Sequence, residues 1–193
     1  MTSGSTPEAD DANDDAALVA RIAAREEAAF RLVIGAHAER LHRIAYRMTG
    51  DPQDAEDIAQ EAMLRLWDHA PRLSARGGAV LLGPWLKRVV MNLAFDRLRL
   101  RKRSSDAEVP ERADDAPLAD EIIAADEQTL AARKLVHDLP ERQCAAIVLT
   151  YYEEMPNADA AQVLDMNIKA FESLLFRARA ALRTAFEAQG GGT

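Results

Sequence analysis

Apolar residues recur at helical spacing along nearly the whole chain. Between Ala16 and Met48, Leu18, Val19 and Ile22, then Phe30, Val33 and Ile34, then Leu41, Ile44, Ala45 and Met48 mark apolar faces. Arg25-Glu26-Glu27 separates a short first helix from a second. Thr49-Gly50-Asp51-Pro52 reads as a stop and a new start. Gly50 suits a C-cap, Asp51 an N-cap, Pro52 the first helical position, and Asp54 the return arm of a capping box. The next helix carries Ala55, Ile58, Ala59, Ala62, Met63, Leu66 and Trp67 on one stripe. Asp54, Glu56, Asp57, Gln60, Glu61 and Arg65 fall on the other face, with the acids near the helix start, where its dipole favours them.

Pro71 to Pro84, with Gly77, Gly78 and Gly83, reads as a loop. Beyond it, Leu86, Val89, Val90 and Leu93 repeat at i, i+3, i+4, i+7, so Gly83–Arg103 is expected to be an amphipathic helix opened by Pro84. Residues 104–117 are polar and acidic with two prolines and are expected to be a linker. A helix is expected from Leu118 to His137, and another opens at Leu139-Pro140-Glu141 with Cys144, Ile147, Val148 and Tyr151 on its apolar face. A break follows at Glu153–Asn157. Then come a short helix, Ala158–Leu164, a tight Asp165-Met166-Asn167 and a long helix from Ile168 to Ala188. Asn167 is placed to cap the long helix, with Phe171, Leu174, Leu175, Ala178 and Leu182 inward. A short helix, a three-residue turn and a long helix have the shape of a helix-turn-helix. The expected fold class is all-α: a bundle over residues 16–103 and a helix-turn-helix unit over 118–188, joined by an acidic linker over 104–117. Acidic residues 1–15 and residues 189–193 are expected to be disordered tails.

Charge adds to this pattern. The chain has 24 Lys and Arg against 32 Asp and Glu, a net −8, yet Gly83–Arg103 holds Lys87, Arg88, Arg97, Arg99, Arg101, Lys102 and Arg103 against Asp96 alone. Such a helix is either a solvated cationic face or a surface for nucleic-acid phosphates. The single cysteine, Cys144, excludes an intramolecular disulfide, suits a reducing cytoplasm and is expected in the core. No apolar run reaches membrane-spanning length, and the acidic N-terminus lacks the features of a signal peptide, so no membrane insertion is expected. No Gly-rich phosphate loop appears. His37, His42, His69 and His137 show no metal-ligand spacing. Nothing argues for an enzyme, a catalytic residue, a metal or a cofactor.

The conjunction is more specific than its parts. DAEDIAQEAMLRLW, WLKRVVMNLAFDRLRLRKR, a polar linker, LPERQCAAIVLTYY and a helix-turn-helix ending FRARAALR together resemble a bacterial sigma factor. The likeness is to the compact extracytoplasmic-function (ECF) group of the sigma-70 family, which keeps regions 2 and 4, and it runs from about Ala16 to Phe186. It implies docking of Asp54, Glu56, Asp57, Gln60 and Glu61 on the β′ clamp helices of core RNA polymerase, with β as a further contact. It implies engagement of the promoter minus-ten element by Arg88, Asn92, Asp96, Arg97 and Arg101 within the basic helix, with Arg72–Gly83 corresponding to the segment that captures a flipped base. It further implies reading of the minus-thirty-five element by Asn167, Lys169, Ala170, Glu172, Ser173 and Arg177, and control by an anti-sigma partner in the cytoplasm. A sigma-like decoy that binds a protein without supporting transcription is the alternative.

The last helix departs from the family's pattern. Ala170-Phe171-Glu172-Ser173-Leu174 stands where Thr-Val-Lys-Ser-Arg is frequent, and Asp165 stands where Gly is usual in the turn. Glu172 cannot bind phosphate but can accept from cytosine N4, and Asp tolerates the left-handed conformation better than most residues. The implied mechanism fails if the acidic and basic surfaces are packed on each other or buried in the core with no intramolecular rearrangement able to free them.

Overall fold

The computed structural model describes residues 7–76, 80–105 and 127–188. Within them the secondary structure is helical throughout: α1 (Pro7–Ala23), α2 (Glu27–Thr49), α3 (Pro52–Ala75), α4 (Leu82–Ser105), α5 (Glu127–His137), α6 (Glu141–Ile147), which continues as a π-helical turn Val148–Tyr152, α7 (Asn157–Val163) and α8 (Ile168–Ala188). Most of the expected linker, the expected start of the second unit at Leu118 and the tail at 189–193 lie outside the described residues. Helix α1 begins inside the stretch read as a tail, and Asp15 is part of the structure: its carboxylate accepts the Leu82 N–H at 2.7 Å, capping the start of α4.

Helices α1–α4 form the first bundle. Val19, Ile22, Val33, Leu41, Ile44, Met48, Ile58, Leu66, Leu86, Val90 and Met91 are all within a few per cent of complete burial. Each side chain of this size contributes roughly 1.5–3 kcal/mol by leaving water. The α2–α3 corner follows the anticipated punctuation. Gly50 has φ 68° and donates its N–H to the Tyr46 carbonyl at 2.8 Å. A Cβ there would also lie 2.9 Å from the His137 ring and would have to push that exposed ring aside, but it is the left-handed φ that calls for glycine.

Two readings of the first bundle need correction. Helix α3 does not stop at Pro71 but continues to Ala75 with the proline inside it. The Trp67 carbonyl, which would lose its helical donor there, accepts instead from the Arg25 guanidinium at 3.1 Å. Ala70 and Leu73 keep the buried stripe running through the extra turn. Trp67, expected in the core, is half-buried. Its ring packs 5.0 Å from that of Phe30 and lies under Arg25.

Helices α5–α8 form the second bundle around Leu149, Phe171, Leu175 and Ala178. Its α6 is where Tyr151 departs from expectation. The π-helical turn carries the Glu153 N–H back to the Val148 carbonyl, and the widened turn rotates Tyr151 off the apolar face. Tyr151 is exposed; its hydroxyl accepts from Arg179 at 2.6 Å. The bundles touch: α4 packs on α6 and α7, and α2 on α5, α6 and the π-helical turn. A single hydrophobic cluster runs through both.

Candidate functional site

The acidic helix α3 starts at Asp51, whose carboxylate accepts the Asp54 N–H at 2.9 Å. Asp54 does not complete the capping box. Its own carboxylate turns toward α4, where Arg97 lies 3.1 Å and Arg101 2.8 Å away, and the residue is only 7% exposed. Asp57 meets Arg97 at 3.2 Å, and Asp51 meets Arg101 at 2.6 Å. Arg101 also donates to the Thr49 carbonyl at 3.2 Å, so one guanidinium ties the end of α2, the start of α3 and the length of α4. Burial raises the Asp51 pKa, but the Asp54 N–H and then Arg101 outweigh it, and the carboxyl titrates below its usual value.

The acidic and basic faces are therefore not independent. Asp54 was expected on the open polar face and is instead part of the seam between them, because two arginines one turn apart on α4 converge on it. Glu56, Asp57, Gln60 and Glu61 stay at the surface. The Gln60 amide donates to Glu56 at 3.0 Å and Arg65 to Glu61 at 2.9 Å. Beside them an apolar groove of about 510 Å³ opens between α2 and α3. Phe30, Ile34, Met63 and Leu64 form its walls, and Glu56 and Gln60 lie on its rim. Leu64, 56% exposed, was not singled out from the sequence, since it lies off the buried stripe; its signal was a leucine on an otherwise polar face.

Along α4, Asn92 and Asp96 are exposed, and Arg99 pairs with Asp96. Other cations of α4 reach the second bundle. Lys87, only 8% exposed, lies 3.2 Å from Glu153; Arg88 lies 3.1 Å from Asp165; Lys102 lies 2.6 Å from Glu141. Arg40 of α2 joins Lys87 on Glu153 at 2.6 Å. Glu153 is 6% exposed. A carboxylate this deep persists because two cations flank it, and deleting a partner of such a pair costs about 3–5 kcal/mol. Lys87 was counted among the surface cations and is not one. Glu153 was read only as part of a helix break. Half-buried His37 stands beside this cluster: burial lowers its pKa most, Asp15 raises it, and Arg40 and Lys87 lower it further. Of the segment matched to base capture, Arg72–Ala75 belongs to α3 and Leu82–Gly83 to α4, while residues 77–79 lie outside the described residues.

In the helix-turn-helix formed by α7 and α8, Asp165 adopts φ 55°, the left-handed conformation the turn needs. The Asn167 side chain accepts the Ala170 N–H at 2.9 Å and so serves as the N-cap. Lys169, Glu172, Ser173 and Arg177 line the exposed face of α8, and Ala170 is half-buried. Phe171, Leu174, Leu175 and Ala178 pin the opposite face to the core.

The sigma-70 region 2 family matches residues 33–104, and the sigma-70 region 4 family matches residues 129–182. The chain is 34% identical over 168 residues to the ECF RNA polymerase sigma factor SigM of Mycobacterium tuberculosis, an alignment covering 87% of this chain and 82% of that one. This chain belongs to the ECF group of the sigma-70 family. It is also similar to the ECF RNA polymerase sigma factor SigW of Bacillus subtilis, at 26% identity over 82% of this chain and 89% of SigW. In fold it resembles CnrH, solved in complex with the cytosolic domain of CnrY, with a TM-score of 0.67 over 90% of this chain and 97% of CnrH at 22% identity. It also resembles the sigma factor RpoE of Bartonella quintana, solved with the anti-sigma factor NepR, with a TM-score of 0.66 over 82% of this chain and 96% of that one, again at 22% identity. In this ECF sigma factor α4, rich in cations, closes the region 2 match, and the region 4 match takes in α7, the turn and α8 as far as residue 182. No described helix is long and apolar enough to cross a membrane.

Proposed function

We propose that this ECF sigma factor binds core RNA polymerase and directs it to promoters whose minus-ten element is held by region 2 and whose minus-thirty-five element is read by region 4. The observation that carries the proposal is the occurrence of both sigma-70 regions, in order, on one chain. Region 2 is taken to span residues 16–103, the linker 104–117 and region 4 residues 118–188. The protein is a regulator of transcription rather than a catalyst and works in the cytoplasm with the polymerase.

The docking surface is assigned to Glu56, Asp57, Gln60 and Glu61 together with the apolar groove bounded by Met63 and Leu64. A helix of the polymerase β′ clamp, laid in that groove, would meet an apolar floor and an acidic rim, which is the helix-in-groove mode of recognition. Asp54 is assigned to holding α3 on α4. The minus-ten strand is assigned to Asn92, Asp96 and the arginines Arg88, Arg97 and Arg101, which supply phosphate contacts. Lys169, Ala170, Glu172, Ser173 and Arg177 are assigned to the major groove, with Asn167 positioning the helix and Glu172 suited to a cytosine N4 donor. An anti-sigma protein is the natural inhibitory partner, by analogy with the complex of RpoE with the anti-sigma factor NepR.

Transcription in vitro with core polymerase and fragmented genomic DNA tests the reading. Promoter-dependent initiation that requires this chain supports it. Binding to core without initiation on any fragment would favour the decoy alternative, and no binding to core would end the promoter-recognition reading.

A further inference from the structure

Helix α4 has no cap of its own. The Leu81 carbonyl accepts the Trp85 N–H at 3.2 Å, which puts Leu81 at the N-cap, where a leucine offers no side-chain oxygen. The missing acceptor comes from α1: the Asp15 carboxylate takes the Leu82 N–H at 2.7 Å, and Leu82 itself is fully buried. That charge also stands at the positive end of the α4 dipole. Half-buried His37 of α2 completes the junction. Burial lowers its pKa most and the Asp15 charge raises it, and a Cβ on Gly83 would lie 4.0 Å from its ring. The element that carries Asp15 is itself held. Helix α1 packs on α2 and α3, Val19 and Ile22 are in the core, and Arg25 just past its end donates to the Trp67 carbonyl of α3 at 3.1 Å. All of this precedes residue 33, where the region 2 match begins.

We propose that Asp15 is a positioning residue for recognition of the minus-ten element, acting through the start of α4. This rests on the assignment of α4 to the minus-ten strand. Leu86, Val90 and Met91 keep α4 in the core, while two polar ties set its register along its axis. Near its end, Arg101 grips Asp51 and Asp54; at its start, Asp15 grips Leu82. The exposed Asn92 and Asp96 are carried between these ties. Without Asp15 the first turn loses its fixed end and frays back toward them. Phosphate contacts tolerate such loosening and carry no sequence information, whereas base contacts specify. A recognition group must be held within about 0.5 Å of its productive place. Asp15 therefore governs which minus-ten sequence is accepted more than how tightly DNA is held.

The test is transcription by core polymerase with the full-length sigma factor on a promoter library. A promoter recovered from genomic fragments is randomised separately at its minus-ten and minus-thirty-five positions, and the transcripts are sequenced. The parent is compared with Asp15→Ala, Asp15→Asn and Ile44→Val, each shown to be folded by circular dichroism. Asp15→Asn removes the charge but keeps an acceptor for the Leu82 N–H. Ile44→Val removes a methyl group from the buried core and matches the lost stability without touching the cap. A wrong base at a read position costs about five- to a hundredfold. Asp15→Ala should cut that discrimination by about threefold or more at minus-ten positions and leave minus-thirty-five preferences at the parent level. Asp15→Asn and Ile44→Val should keep both preferences. Parental minus-ten discrimination in Asp15→Ala overturns the proposal alone. So does an equal loss in Asp15→Asn, which would make charge the cause, or in Ile44→Val, which would make stability the cause. A parent with no minus-ten preference removes the assignment of α4 and this proposal with it.

Discussion

The Arg25 guanidinium donates to the Trp67 carbonyl at 3.1 Å and lies over the Trp67 indole at 4.9 Å from its ring centre. Pro71 leaves that carbonyl without its helical donor, so a residue just past the end of α1 repairs a fault in α3. The repair lets α3 carry Leu73 into the core and sets where the connection to α4 begins.

Arg25→Ala should therefore cost about 1–2 kcal/mol in urea denaturation, as a charged hydrogen bond and a cation–π contact are lost together. Pro71→Ala supplies the missing N–H, so Arg25→Ala should cost distinctly less in that background. A double-mutant cycle reads the coupling; additive effects would show that Arg25 does not compensate for Pro71.

Arg101 is a fold residue before it is a DNA residue. It meets Asp51 at 2.6 Å, Asp54 at 2.8 Å and the Thr49 carbonyl at 3.2 Å. Arg101→Met should lower stability by about 2 kcal/mol, allowing for the exposed half of the guanidinium. Arg101→Lys should recover less than half, since one ammonium cannot reproduce the fork. Thermal melts check both, and an unchanged melting temperature in Arg101→Met would refute the role.

The sequence made most helices legible because their stripes are regular. It failed where a long-range partner, or a change of helical pitch, decides the outcome. Asp54 borders the stripe that starts at Ala55, and its burial depends on Arg97 and Arg101, more than forty positions away. Tyr151 would be inward in a uniform α-helix, and the π-helical turn moves it out. Glu153 gave no signal, since Arg40 and Lys87 are far off in the chain. Ala70 and Leu73 did carry a signal that α3 continues past Pro71. The proline outweighed it because the compensating Arg25 could not be seen from the sequence alone.

The groove between α2 and α3 separates docking from folding. Leu64 is exposed, and Gln60 bonds Glu56 at the rim. Leu64→Asp with Gln60→Ala should weaken binding to core polymerase by about tenfold or more, as expected for a central contact of an interface. The melting temperature should stay within about one degree, because neither side chain is buried. Retained affinity in a pull-down titration would place the docking surface elsewhere.

Cys144 lies where the bundles meet, its thiol donating to the Arg47 carbonyl at 3.6 Å. It is 2% exposed, and burial pushes its thiol up from 9.0 to about 12. The raised value means that folding favours the protonated thiol. Its stabilising contribution is complete below pH 9.0 and is lost as pH rises toward about 12. The thiolate is the reactive species, so at pH 8 iodoacetamide should modify the native protein only through opening events, at a rate that climbs with urea. Cys144→Ala should flatten the alkaline part of the stability profile while losing about 1 kcal/mol at neutral pH for the small cavity left behind. Rapid alkylation of the folded chain at pH 8, without denaturant, would show that the thiol is not held in the core.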